Sequence, residues 1–479
     1  MRRAGRTACA AVVLGTLAIS LARASAAQGS GAIAPPPDAA IRRLLAERVE
    51  ALAGKDDGVG IVVGVVGPQG RRVIPYGRPS QGDPRRLDGD TGFEIASVTK
   101  VFTALLLAEM AGRGEVALTD PVAKYLPAAR IPERNGRSIT LLDLATHTSS
   151  LPFMPDEVPS LGDPAAASYG SAQLYQFVAG CVLPRDIGAE WDYSNVGYWL
   201  LGEALASRAG MDFESLLQAR VLAPLRLSRT AVTPSPNVKA KMAVGHNAAL
   251  QPAPSVASVP MFAAMPAAGS LVSTVNDLLT LLSVAMGYER SPLAPAMAAM
   301  LGTPRPRVRP GEEQALGWIV MGEGDDPLIV HDGGSFGFAS SVAWDPKKRI
   351  GVVVLSNQVA GVGDIARHLL RPNLPLEKPT ATKRTEIALD SALLDLYAGR
   401  YEAPGEGEFL VVREGDFLTF QAPADWGLPK LRIRPESRRE FFAAELPLRV
   451  TFQTDGEGRV SGLLIYPPRG QKAILAKRN

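Results

Sequence analysis

The 479-residue sequence predicts an α/β domain followed by a small all-β domain. Three features predict it. Apolar strand-like runs stand near the beginning of the chain and again between residues 328 and 355, a long helical stretch broken by Pro and Gly separates them, and past residue 393 the pattern changes to short β-like segments. One mixed, largely antiparallel sheet assembled from both ends of a domain, flanked by helices and carrying a helical insert, accounts for the first two. The length agrees, since 479 residues exceed what one hydrophobic core usually supports.

Residues 1–27 stand apart. Arg2, Arg3 and Arg6 precede an apolar run from Ala8 to Leu21, and Ala22, Ala24, Ser25, Ala26 and Ala27 follow. That is the pattern of a secretory signal peptide, with a run too short to span a membrane; a retained anchor is the alternative. Export to a periplasm or the medium is expected. Removing the segment takes four arginines and no acid from a formal charge of +3 and leaves −1, so the basic isoelectric point carries no message about nucleic acid or anionic membranes. No basic stripe with interleaved aromatics is present. Nucleic acid is therefore not an expected partner, and a stable membrane span is not expected either. Cys9 lies in the signal, leaving Cys181 alone. No internal disulfide is available, and Cys181 reads as a small apolar core residue. His147, His246, His331 and His368 are scattered singly, without the close pairs of a zinc hydrolase. No metal and no cofactor is expected.

The elements follow in order. Ile41–Leu52 reads as an amphipathic helix. Val59–Val66 is a strand buried on both faces, with Arg71–Tyr76 its hairpin partner across Gly67–Gly70. Leu328–His331, Phe338–Trp344 and Ile350–Leu355 are strands, and Gly363–Leu370 is a helix. Pro372, Pro375 and Pro379 mark a linker over 371–390. Residues 391–479, with turn signals at Glu414–Asp416 and Asp455–Gly458, fit a small barrel or sandwich.

Three motifs carry chemistry. Ser97-Val98-Thr99-Lys100 opens an apolar helix. Residues three apart share a helix face, about 5–6 Å between Cβ atoms, so the amine can reach the hydroxyl. Serine needs such a base to become a nucleophile, and burial favours the neutral amine. The plainer reading is an N-cap with an exposed lysine. Tyr193-Ser194-Asn195 offers a phenol for proton transfer, if nearby positive charge lowers its pKa, and an amide to orient substrate; the plainer reading is a loop before a helix over Tyr198–Arg208. His331-Asp332-Gly333-Gly334 ends a strand, where glycines let a substrate approach and leave amides for a developing oxyanion. His331 alone reads equally as a structural strand-end residue. A rival serine motif, Gly333-Gly334-Ser335-Phe336-Gly337, fits the nucleophile elbow. That elbow needs a helix after the serine, and the text there reads as strand.

In this order the three motifs resemble those of the serine β-lactamase and penicillin-binding protein superfamily, closest to the class C β-lactamase-like branch, peptidase family S12. The similarity extends to Phe93–Thr103, Thr140–Pro152, Tyr193–Gly202 and Gly351–Asn357, and covers about residues 40–370. It implies a β-lactamase/transpeptidase-like domain over 28–370 and, for 391–479, a lipocalin-like barrel such as accompanies D-aminopeptidase-like members. It implies Ser97 as the acylated nucleophile, Lys100 as proton acceptor, and Tyr193 as the group that protonates the leaving group and activates water. Asn195 would hold substrate, the amides of Ser97 and Gly334 would form an oxyanion hole beside Gly333, and His331 would line the opposite wall. His147 matches a recurrent position read as structural. Where dedicated β-lactamases carry Lys-Thr-Gly, this chain has His331-Asp332-Gly333. Histidine is mostly neutral at pH 7, which favours the aminopeptidase, amidase and esterase members. The resemblance thus implies an exported serine hydrolase acting on a D-amino-acid peptide or a small ester. The alternatives are a β-lactamase and a catalytically inactive penicillin-binding sensor.

Overall fold

The computed structural model describes residues 36–53, 58–155, 170–302, 306–322, 324, 326–377, 386–403, 407–423, 430–443, 448–466 and 473–478. The expected signal peptide at 1–27 and the heart of the linker, 378–385, lie outside these residues. No helix among the described residues is long and apolar enough to cross a membrane.

The central sheet has eight strands. They are β1 (Gly60–Gly67), β2 (Gly70–Gly77), β3 (Arg307–Arg309), β4 (Glu312–Gln314), β5 (Ile319–Met321), β6 (Leu328–Gly334), β7 (Ala339–Asp345) and β8 (Ile350–Ser356). Their order is β2-β1-β8-β7-β6-β5-β4-β3, with neighbouring strands antiparallel. The two ends of the domain meet at β1 and β8, in a register that runs from Ile61 opposite Ser356 to Val66 opposite Gly351. β1 is buried along its whole length, which explains its unbroken apolar sequence: helices cover both faces.

One face carries α1 (Asp38–Ala53) and α5 (Gly363–Leu370), packed on Ile61, Val63 and Val65. Arg48 of α1 is buried in an ion pair with Asp364 of α5. The other face carries α2 (Thr99–Gly112), α3 (Asn195–Ala209) and α4 (Val275–Ala285), in a core that includes Val62 and Val66. Gly64 lets α4 approach: a Cβ there would lie 2.4 Å from Val275 Cγ1. Cys181 is half-buried at the margin of this core, less enclosed than the sequence suggests.

The C-terminal residues form α6 (Ser391–Tyr397) and a closed antiparallel barrel of eight strands, from Gly399–Ala403 to Ala473–Arg478. Its interior is filled. Tyr397 of α6 stacks on Phe452 with centroids 4.1 Å apart, and Tyr401, Phe409, Phe420 and Phe441 are buried around them. Eight strands enclose a space that side chains can fill, and here aromatics fill it.

Candidate active site

The Ser97 turn is built from its neighbours outward. Phe93–Glu94 pairs with Val272–Ser273, and Ile95 donates its N–H to Leu271 O at 2.9 Å. Ala96 then takes φ +45°, a left-handed conformation costly for a residue with a Cβ. Ser97 lies in the 3-10 turn Ala96–Val98 that leads into α2. Nine of the ten residues from 91 to 100 are buried, and Ser97 is the one that is not. The strained turn therefore lifts one hydroxyl out of a core segment.

Lys100 has no exposed surface. Its Nζ donates to Ala268 O at 2.5 Å and to Asn195 Oδ1 at 2.8 Å, and lies 3.3 Å from Ser97 Oγ. These partners are neutral, and burial holds the amine well below its usual pKa. A neutral amine has two N–H groups and one lone pair. The two donors are taken by the carbonyl and the amide, which turns the lone pair to the hydroxyl.

Tyr193 and Asn195 flank Ser194, whose hydroxyl accepts from Gly197 N and caps α3. The helix thus begins at Asn195, three residues before the sequence pattern suggests, because an N-cap serine extends it. The same hydroxyl donates to Pro152 O at 2.7 Å. Tyr193 Oη donates to Ser97 Oγ at 2.8 Å, and Lys100 Nζ lies 4.8 Å from its ring centre. His147 stacks on Tyr193 with centroids 4.3 Å apart, and its Nδ1 accepts from Ser194 N–H at 3.1 Å. Burial pushes the His147 pKa well below the usual value, so the ring stays neutral and keeps that acceptor. Its structural role is to fix the phenol.

β6 closes the site. A Cβ on Gly333 would lie 2.4 Å from Ile95 O and 3.1 Å from Ser97 N, so only glycine lets the strand lie against the turn. Ser335 N–H donates to Phe338 O at 2.9 Å. By antiparallel alternation the amides of residues 331 and 333 also face β7, and that of Gly334 faces the other edge. There β5 pairs only with residues 328–330. Nothing lies within 4 Å of where a Gly334 Cβ would be. His331, two residues back on the Gly333 face, is buried with Nδ1 2.6 Å from Gly317 O. Gly317 in turn abuts α2, a Cβ on it lying 3.0 Å from Lys100 O. Asp332 points to the opposite face, where it pairs with Arg367 at 2.8 Å and accepts from Ser341 Oγ at 2.7 Å.

The structure therefore gathers Ser97, Lys100, Tyr193 and Asn195 in one hydrogen-bonded set beside Gly333 and Gly334, with His331 on the same strand anchored to Gly317 O. Ser335 is followed by strand β7 rather than a helix, so the elbow context is missing. Its hydroxyl donates to Glu94 at 2.8 Å. Glu94 and the Ala268 carbonyl were not legible as site groups, because their partners lie more than 160 residues away in sequence. Ser150 and Ser270 stand where the resembling family often has glycine. Ser150 has φ +64°, the conformation that favours glycine.

The fold and the comparisons that follow make the chain a serine hydrolase. The Beta-lactamase family description matches residues 41–371, and the chain belongs to that family. It is 29% identical over 347 residues to the D-alanyl-D-alanine-carboxypeptidase/endopeptidase AmpH of Escherichia coli strain K12, covering 67% of this chain and 87% of that one. It is 30% identical over 353 residues to a beta-lactamase of Pseudomonas fluorescens, covering 66% and 94%. Among solved structures, a class C beta-lactamase from Rhodobacter sphaeroides superposes with TM-score 0.58 at 25% identity, covering 70% of this chain and 97% of that one.

Proposed function

We propose that the chain hydrolyses amide or ester bonds through an acyl-enzyme on Ser97. Lys100 takes the hydroxyl proton as Ser97 Oγ attacks the carbonyl carbon, and the oxyanion settles on the amides of Ser97 and Gly334. Tyr193 passes a proton to the leaving amine or alcohol as the C–N or C–O bond breaks. It then takes one from the water that attacks the acyl carbon, and Lys100 returns its proton to Ser97 Oγ as the ester bond breaks and the acid leaves. Asn195 holds the substrate amide. The single observation that carries this reading is the buried Lys100 amine, held by Ala268 O and Asn195 Oδ1 within 3.3 Å of the serine hydroxyl.

The substrate class we propose is a D-amino-acid peptide or a small ester. Support comes from the similarity to a relative named a D-alanyl-D-alanine-carboxypeptidase/endopeptidase and from His331 in place of a lysine. A β-lactam is the second reading, favoured by the relative named a beta-lactamase. His331→Lys is expected to tighten binding of carboxylate-bearing β-lactams; unchanged or weaker affinity would contradict the charge argument. The intact set Ser97, Lys100, Tyr193 and Asn195 speaks against an inactive sensor. We further propose export directed by residues 1–27, a catalytic domain over 28–370, a linker over 371–390 and an accessory barrel over 391–479.

The test is a panel of p-nitrophenyl esters, D-alanyl-p-nitroanilide, a D-Ala-D-Ala peptide and nitrocefin, with wild type and Ser97→Ala. We expect turnover of an ester or D-amino-acid amide by wild type and none by the variant at unchanged thermal stability. Normal hydrolysis by Ser97→Ala would overturn the assignment.

A further inference from the structure

Glu94 lies three residues before Ser97 and is 1% exposed. Its carboxylate accepts from Ser255 Oγ at 2.6 Å, from Val256 N–H at 3.0 Å and from Ser335 Oγ at 2.8 Å. All three donors are neutral. A carboxylate buried without a cation is unfavourable, and burial raises the pKa of Glu94 against the pull of these hydrogen bonds. An apolar residue would fill the space at less cost, so the placement calls for a reason beyond packing.

The three donors come from the two segments that border the Ser97 turn. Ser335 follows Gly334 at the end of β6, beyond Val330, the last residue paired toward β5. Ser255 and Val256 belong to the loop that continues into Pro260–Ala263. From that loop Phe262 meets Phe336 edge-on, with centroids 5.1 Å apart. Upstream of that loop, His246 N–H donates to Gly337 O at 3.1 Å, a backbone tie to the segment that follows the strand end. On the turn side, Ser340 Oγ donates to Ile95 O at 2.7 Å. Glu94 is the side chain that joins the nucleophile segment, the end of β6 and the loop at one point. Its two oxygens accept from all three groups at once.

We propose that Glu94 is a positioning residue for the reaction: acting through Ser335, it holds the Gly334 amide at the distance from Ser97 that an oxyanion needs. The proposal rests on the acyl-enzyme reading above. An oxyanion donor matters more in the transition state than in bound substrate, so the loss appears in turnover and not in KM. A boronic acid that forms a tetrahedral adduct on the serine reads the same geometry without turnover.

The experiment measures kcat and KM for a p-nitrophenyl ester, and Ki for phenylboronic acid, in wild type, Ser97→Ala, Glu94→Gln, Glu94→Ala and Ser335→Ala. Glu94→Gln can keep its oxygen toward Ser255 and Val256 and its amide toward the Ser335 hydroxyl, so we expect it within about 3-fold of wild type. Glu94→Ala is expected to lower kcat and raise the boronate Ki about 30-fold, with KM within about 3-fold, a fraction of the effect of deleting a donor outright. Ser335→Ala leaves two of the three ties and is expected to move kcat and Ki about 5-fold. It carries the test should Glu94→Ala not fold. Unchanged kcat and Ki in Ser335→Ala and Glu94→Ala, or a change in KM alone, would overturn the proposal. A Ser97→Ala variant that still turns over, or a wild type that does not bind the boronate, would instead overturn the acyl-enzyme reading beneath it.

Discussion

Burial favours the neutral form of Lys100, and that sets the pH behaviour of the site. Burial places its pKa well below the ordinary lysine value, so the amine becomes a usable base as pH rises through the lowered value. Turnover per encounter, kcat/KM, should therefore rise along an acid limb lying far below pH 10.5; a limb at the ordinary lysine pKa would contradict this. The same shift has a sign in stability. Between the lowered value and the ordinary one the unfolded chain binds a proton that the native chain does not, so stability gains with rising pH across that window. Lys100→Met should remove this component of the pH dependence of the melting temperature and lower turnover by about 10³-fold. The Ser97–Lys100 pair was legible because helix spacing alone brings the two together. Ala268 O and Glu94 were not, since they reach their partners through tertiary packing.

At the scale of elements, the site depends on how closely β6 lies against the Ser97 turn. Gly333→Ala would place a methyl 2.4 Å from Ile95 O and from Ser340 Oγ, and at least one of these contacts is backbone and cannot swing aside. We expect a loss of about 1–3 kcal/mol in stability from overpacking, with kcat/KM falling at least about 10-fold as the oxyanion side shifts. Wild-type stability and activity in that variant would contradict the packing. Ser194→Ala removes the cap of α3 and the bond to Pro152 O. It should cost about 1 kcal/mol and reduce turnover, because Tyr193 and Asn195 flank the cap. Strands were the most legible elements, since β1, β6, β7 and β8 are apolar runs punctuated by Gly and turns. The start of α3 was harder to read. Its first turn is polar and its boundary is decided by one side-chain hydrogen bond.

Across the whole molecule, the barrel has its own core of residues, separate from those of the central sheet. Phe452→Ala should cost the barrel about 3–5 kcal/mol and produce an early unfolding transition, while hydrolase activity survives to the later one; a single coincident loss would refute independent cores. The turn pattern alone left barrel and sandwich open because closure rests on the pairing of the first and last strands, Arg400–Glu402 opposite Arg478–Ala476. No local pattern encodes that contact. The central claim, that the half-buried Ser97 hydroxyl of the Ala96–Val98 turn is the group acylated, is tested most directly by peptide mapping after reaction with a fluorophosphonate probe. One adduct on Ser97, formed far more slowly in Lys100→Met, is the predicted result. An adduct on Ser335, or none on Ser97, would contradict it.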